Sequence, residues 1–244
     1  MTRTLLKKIT GKIYLIIPAL YLISCAELAS LQTSTGISAP KPLTESDVIS
    51  GLKAALEKGA NFASQQGSQE DGYFKNTLIK IPFPPDAAKA EEKLRQIGLG
   101  GEVDKFILTL NRGAEEAAKK SAPIFSSAIR SMTIQDAWGI LKGEDDAATQ
   151  YLIRTTSTQL KAEFKPVVKA ALDQVSATKY YTDLVNSYNK IPLVTKVDPD
   201  LEDYATDMAI KGLFTLVAQE EAKIREDPLA RTTDILRRVF GSQD

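Results

Sequence analysis

The sequence predicts an all-α fold: a helical bundle of about eight to ten helices around a central C-terminal helix, with at most one short two-stranded β ribbon. Apolar residues recur at the helical period of 3.6 along most of the chain, as in Val48, Leu52, Ala55, Leu56, Gly59 and Phe62. Residues that start and stop helices punctuate these stretches at short intervals. One segment near the C-terminus is apolar around most of its circumference, which marks a helix enclosed by others.

The chain opens on Arg3, Lys7, Lys8 and Lys12 with no acid, followed by the apolar run Ile13 to Ile23 and then Ser24-Cys25. That run is too short to cross a hydrocarbon core, which needs roughly 20 apolar residues, but it suits the apolar region of a signal peptide. The small Ser24 sits where a signal peptidase needs a small side chain, and Cys25 is the sole cysteine. Leu22-Ile-Ser-Cys25 resembles the bacterial lipobox pattern. The resemblance implies removal of residues 1–24, lipid attachment at Cys25 and a membrane anchor of two or three acyl chains, enough for stable attachment. Ala26 stands where an inner-membrane retention signal often places Asp, so by analogy with enteric bacteria the expected location is the cell envelope, leaning to the periplasmic face of the outer membrane.

Residues 25–43 read as the lipidated cysteine and a flexible Ser/Thr/Ala/Pro-rich tether, and 44–241 as a single helical domain. Thr44 with Asp47 forms a capping box, and Gly67 with the polar run to Gly72 ends that helix. Leu78 to Pro85 breaks the helical pattern. Leu78-Ile-Lys-Ile81 has strand character, and Pro82, Pro84 and Pro85 forbid a helix before about Asp86. Ile191 to Val197 is a second such stretch. The two either pair as a ribbon or lie as extended loops over the bundle.

Helices follow over 86–97, stopped by Gly98 and Gly100-Gly101, and over 102–120, with Val103, Phe106, Ile107, Leu110, Ala114 and Ala117 on one face. Pro123 starts another that runs to about Met132, and Thr133 with Asp136 caps the next, which closes at Lys142-Gly143. Asp145 or Asp146 caps a long segment that Pro166 is expected to kink or split. A shorter helix spans 177–189. Asp198 as N-cap and Pro199 at the first position open the central helix, 199 to about 226, rich in Leu201, Tyr204, Met208, Ile210, Leu213, Phe214, Leu216 and Val217. Asp227-Pro228 breaks it, and 229–240 form the last helix, closed by Gly241.

Composition excludes more than it suggests. The chain has no histidine, which rules out Ser-His-Asp and Cys-His catalysis, HExxH zinc sites and imidazole switches. With the cysteine committed to lipid, the domain has no thiolate nucleophile or disulfide. The 31 basic residues less the four of the leader, against 31 acids, leave a mature charge near −4, and no basic stripe speaks for nucleic acid. Nothing in the sequence implies a cofactor or metal.

Three clusters of polar residues are candidates for chemistry. Glu220 and Glu221 with Lys223, Arg225, Glu226 and Asp227 suggest paired carboxylates. Neighbours on a helix diverge by about 100°, however, and Glu221 with Arg225 has the spacing of an ordinary ion pair. Asp198, Asp200, Glu202 and Asp203, like Glu144, Asp145 and Asp146, offer oxygen donors for a hard cation. They lack the glycine and distal glutamate of an EF-hand, and helix-start capping accounts for both groups. Asn111, Arg112, Arg130, Arg154, Arg231, Thr232 and Thr233 form an anion clamp if they share a groove, and surface ion pairs if they do not. Arg231 is expected to pair with Glu226 or Asp227, a clasp between the last two helices, in preference to an anion site at Thr232-Thr233.

Ile79-Lys-Ile-Pro-Phe-Pro84, Ala122-Pro-Ile-Phe125, Met132-Thr-Ile-Gln-Asp-Ala137, the run Gly143 to Tyr151, Phe164-Lys-Pro166, Asp200-Leu-Glu-Asp-Tyr204 and the run Glu220 to Thr233 together span nearly the whole domain. With these pieces the chain resembles a bacterial lipoprotein-like family, domain of unknown function 4197. The resemblance implies a helical domain behind an export signal and supplies no activity or catalytic residue. The functional expectation is a membrane-anchored, non-catalytic module of the envelope. Its partners are the membrane, through the N-terminal lipid, and an envelope protein or a small apolar or anionic ligand. The alternative is a carboxylate-based hydrolase or lyase acting on envelope polymers, which needs two acids converging in a cleft.

Cys25→Ala is expected to abolish acyl labelling and to release the protein or leave it as an uncleaved precursor. Continued labelling of that variant would rule the lipobox out.

Overall fold

Thr44 begins the ordered helical architecture: its hydroxyl accepts from Asp47 N while the Asp47 carboxylate accepts from Thr44 N, the reciprocal cap read in the sequence. The computed structural model describes residues 42–174, 176–190, 192–193 and 196–241. The signal segment 1–24, Cys25 and the tether up to residue 41 lie outside the described residues.

Nine α-helices occur among the described residues, and no strand. They are α1 (Glu45–Ser68), α2 (Ala88–Gln96), α3 (Gly100–Ala118), α4 (Ser121–Ser131), α5 (Ile134–Leu141), α6 (Ala147–Gln174), α7 (Ala177–Asn189), α8 (Leu201–Glu226) and α9 (Asp234–Phe240). Short 3-10 turns at Pro85–Ala87 and Pro228–Ala230 precede α2 and α9. The fold is the all-α bundle that the sequence predicts, and Leu43–Asp244 forms one compact unit.

The C-terminal helix α8 is the centre, packed against α1, α3, α6 and α7. Its buried positions, among them Leu201, Ala205, Ala209, Leu213, Phe214, Val217 and Ile224, cover well over half of its circumference and leave an exposed strip through Asp207 and Lys211. Close approach needs a small residue on it. A Cβ at Gly212 would lie 2.6 Å from Cε1 of Tyr73, whose ring is fully buried and whose hydroxyl donates to Ala209 O at 2.6 Å. The Tyr73 phenol is pushed up from its ordinary pKa by that burial.

Several boundaries differ from the sequence reading, each for a physical reason. Pro166 does not split α6. The residue is exposed, so the Ala162 carbonyl that loses its N–H partner faces water, while Leu160, Phe164, Val168 and Leu172 hold both halves in the core. Asp200, not Asp198, caps α8 by accepting from Asp203 N at 2.9 Å; Asp198 instead accepts from Asp200 N and shapes the turn before it. Gly100 and Gly101 lie inside the first turn of α3, so Gly98 alone, at φ +88°, makes the break. The last helix starts only at Asp234, capped by Thr233, because the 3-10 turn and the extended residues after Pro228 take up the start of the expected span.

The core assignment is tested by substitution on α8. Leu213→Ala should cost about 2–5 kcal/mol, the range for emptying a fully buried leucine site. Gly212→Ala should cost about 1–3 kcal/mol by overpacking against Tyr73. Both are read by denaturant unfolding, and wild-type stability in both variants would place the core elsewhere.

Candidate functional site

The stretch 78–85, which the helical pattern abandons, is held by side chains instead of by a partner strand. The buried Asn111 amide pairs with both backbone groups of one residue, as a neighbouring strand would. Its Oδ1 accepts from Ile81 N and its Nδ2 donates to Ile81 O, both at 2.8 Å. Tyr204 on α8 donates to Pro82 O at 3.1 Å. The second stretch is closed in the same way: Asn189 Oδ1 accepts from Val197 N and its Nδ2 donates to Val197 O, again at 2.8 Å. Two asparagines thus stand where the sequence leaves room for a ribbon, and each satisfies a peptide that would otherwise be buried unpaired.

Pinning Ile81 places Phe83 in an aromatic group with Phe106 of α3 and Tyr181 of α7. Phe83 and Phe106 lie 5.0 Å apart, and Phe106 stacks on Tyr181 at 6.2 Å with an interplanar angle of 20°. Burial pushes the Tyr181 phenol up to about 12, so it stays neutral and donates, over 3.4 Å, to Asp198 O.

Above this group lies a cleft of about 660 Å³ between α2, α3 and α7. Leu94 of α2, Leu99, Val103 and Phe106 line one side, and Ala177, Tyr180 and Tyr181 the other. The size falls within the roughly 300–1,000 Å³ of small-molecule sites, and the lining is mainly apolar. Among the described residues, charge enters only through Glu102 and Lys105, which pair with each other at 2.9 Å. Of the lining residues, Leu99 and Tyr180 remain 43% and 71% exposed. Helix α2 buries none of its own residues and packs mainly on α3, between a proline-rich entry and the Gly98 break. It is the most weakly held wall of the cleft.

The residues singled out in the sequence go elsewhere. Glu220 and Glu221 are both buried but diverge. Glu220 pairs with Lys58 of α1 at 2.8 Å. Glu221 accepts from Ala148 N (3.0 Å), Thr149 N (2.8 Å) and Thr149 Oγ1 (2.7 Å), and from Arg225 at 2.9 Å. It therefore caps the first turn of α6 from another helix, the task expected of Asp145 or Asp146. Arg225 also reaches Ile140 O at 3.1 Å. Arg231 is 3% exposed and donates to Ile224 O (3.0 Å) and Arg225 O (2.7 Å), so it clasps the C-terminal carbonyls of α8. Thr233 spends its hydroxyl on Leu236 N, and Thr232 is exposed.

The remaining arginines take separate partners: Arg112 binds Glu115, Asp71 and Glu70, Arg130 binds Ser126, and Arg154 binds Asp136. The acids at the start of α8 face lysines of α6, with Lys161–Asp207, Lys165–Asp203 and Lys169–Glu202 at 2.9, 2.8 and 2.9 Å. The Lys165 ammonium holds the Asp203 carboxyl below its ordinary range. Among the described residues no group of three or more acids is placed to hold a metal ion. One buried carboxylate escaped the sequence reading. Glu115 accepts from Tyr73 N at 3.1 Å and Phe74 N at 3.2 Å and binds Arg112, ending the turn after α1. Its spacing from Arg112 was the available signal.

A family model described as "Protein of unknown function (DUF4197)" matches residues 42–241, and the chain belongs to that family. No curated protein and no solved structure matches it.

Removing the Glu221 carboxylate leaves two helix-start N–H groups without a partner, and Arg225 without its counter-charge, in a buried place. Glu221→Ala is expected to cost about 3–5 kcal/mol, against much less for the exposed Glu116→Ala. Comparison of the two unfolding curves checks it, and equal midpoints would show that the cap carries no weight.

Proposed function

We propose that the domain is a non-catalytic binding module, held at the cell-envelope membrane by lipid on Cys25, which takes a small apolar ligand into the cleft between α2, α3 and α7. The observation that carries this reading is the cleft itself: a ligand-sized, mainly apolar space under the helix that buries least of its own surface. The Leu22-Ile-Ser-Cys25 lipobox pattern supports the anchor, and no helix among the described residues is long and apolar enough to cross a membrane. The tether then leaves the domain free to meet ligands near the bilayer. The hydrolytic alternative draws no support from the geometry, because the Glu220 and Glu221 carboxylates are occupied by Lys58 and by the α6 amides.

A neutral environment-sensitive dye such as N-phenylnaphthylamine tests the cleft. Leu94 is half-buried on α2, so Leu94→Arg puts a charge into the space without emptying the core. The dye should bind the wild-type protein, and the variant should bind it at least about tenfold more weakly with an unchanged melting temperature, a difference of about 1.4 kcal/mol. Equal binding by both proteins, or none by either, overturns the reading.

A further inference from the structure

The charges around the cleft narrow the class of ligand, on the premise that the cleft is the binding site. Among the described residues its only charged lining groups, Glu102 and Lys105, carry opposite signs and sit three residues apart on α3 at 2.9 Å. The nearest arginine on α2, Arg95, is matched in turn by Glu91 and Asp104, each at 2.9 Å. Among the described lining residues an anionic head would meet no unmatched cation. It would have to strip Lys105 from Glu102, give up its own hydration and then lie beside the displaced carboxylate. A cationic head faces the mirror problem. Taking a charge out of water without a partner costs far more than moving a hydroxyl or ester that keeps one hydrogen bond.

Deeper in, the walls are aromatic and aliphatic: Phe83, Phe106 and Tyr181 on the floor, Leu94, Leu99 and Val103 beside them. The volume of about 660 Å³ lies in the middle of the range of small-molecule sites. That suits one chain of medium length with a small head.

We propose that the cleft binds an uncharged single-chain amphiphile, an aliphatic chain lying against the aromatic floor and a hydroxyl- or ester-type head at the rim beside Glu102, Lys105 and Tyr180. Both sides of the Glu102–Lys105 pair are useful to such a head, since a hydroxyl donates to the carboxylate and accepts from the ammonium. The pair is exposed and weak, with side chains 68% and 74% accessible, so it opens to admit the head at little cost.

The test titrates the full chain, kept soluble in an amphipathic polymer with polymer alone as the blank, with n-decanol, decanoate and decyltrimethylammonium. Decanol should bind at least about tenfold more tightly than either ion. From n-octanol to n-dodecanol the affinity should rise about fourfold per methylene until the chain outgrows the cleft, and Leu94→Arg should remove the effect. Glu102→Gln, at an exposed site, should move the preference toward decanoate by freeing the Lys105 charge. Decanoate binding as tightly as decanol in the wild type, no dependence on chain length, or an unmoved preference in Glu102→Gln overturns the assignment. If the neutral dye still binds in a Leu94-dependent way, only the ligand class has failed. If no apolar probe binds, the cleft reading falls with it.

Discussion

The carboxylate of Glu221 holds the first turn of the longest helix from within the most enclosed one. A helix start that is buried cannot use water for its free N–H groups, and the packing of α6 on α8 removes water from Ala148 and Thr149. The charge that meets this need is itself buried, so it requires Arg225, which in turn reaches the last turn of α5 through Ile140 O. Three helices are thereby tied through one ion pair. The same logic recurs wherever the chain turns inside the bundle: Glu115 for Tyr73 and Phe74, Asn111 for Ile81, Asn189 for Val197, Arg231 for the end of α8. Asn111, Glu115, Glu221 and Arg231, all buried, are thus directed at backbone that the close packing strands.

This use of buried charge explains why Glu115, Glu220, Glu221 and Arg231 do not line the cleft between α2, α3 and α7. Carboxylates and arginines enclosed by the bundle already have full sets of partners, and their geometry is that of caps and clasps. The apolar cleft lies instead at the edge, between α2, α3 and α7, where few polar side chains are present. A proline-rich entry and a Gly98 exit let α2 leave the bundle, while the Asn111 anchor fixes Phe83 as the floor. A cleft of this kind selects by shape and by the absence of net charge more than by directed hydrogen bonds.

Legibility in the sequence followed the range of the interaction. The Thr44 and Thr133 caps, the Pro228 break and the enclosed character of α8 rest on residues within a turn or two of each other, and each stands where the pattern put it. The cap on α6 and the two asparagine anchors could not be read, because their partners lie 73, 30 and 8 residues away and nothing in an isolated Glu or Asn announces a distant peptide. Asn111 was noticed for the wrong chemistry, as a ligand group beside Arg112. Pro166 shows the converse: a strong local signal against a continuous helix was outweighed because its ring faces water and its neighbours face the core.

The sequence by itself determined the all-α class, the order of the helices and the central place of α8, since periodicity, capping and proline placement act over a few residues and survive any packing. The lipobox reading of Cys25 also comes from sequence alone. Only the tertiary structure decided which carboxylates are caps, how two non-helical stretches are satisfied without a strand, and where an apolar space is left. Those outcomes depend on which surfaces lose water when the helices meet, and that is a property of the packed bundle and of no segment within it.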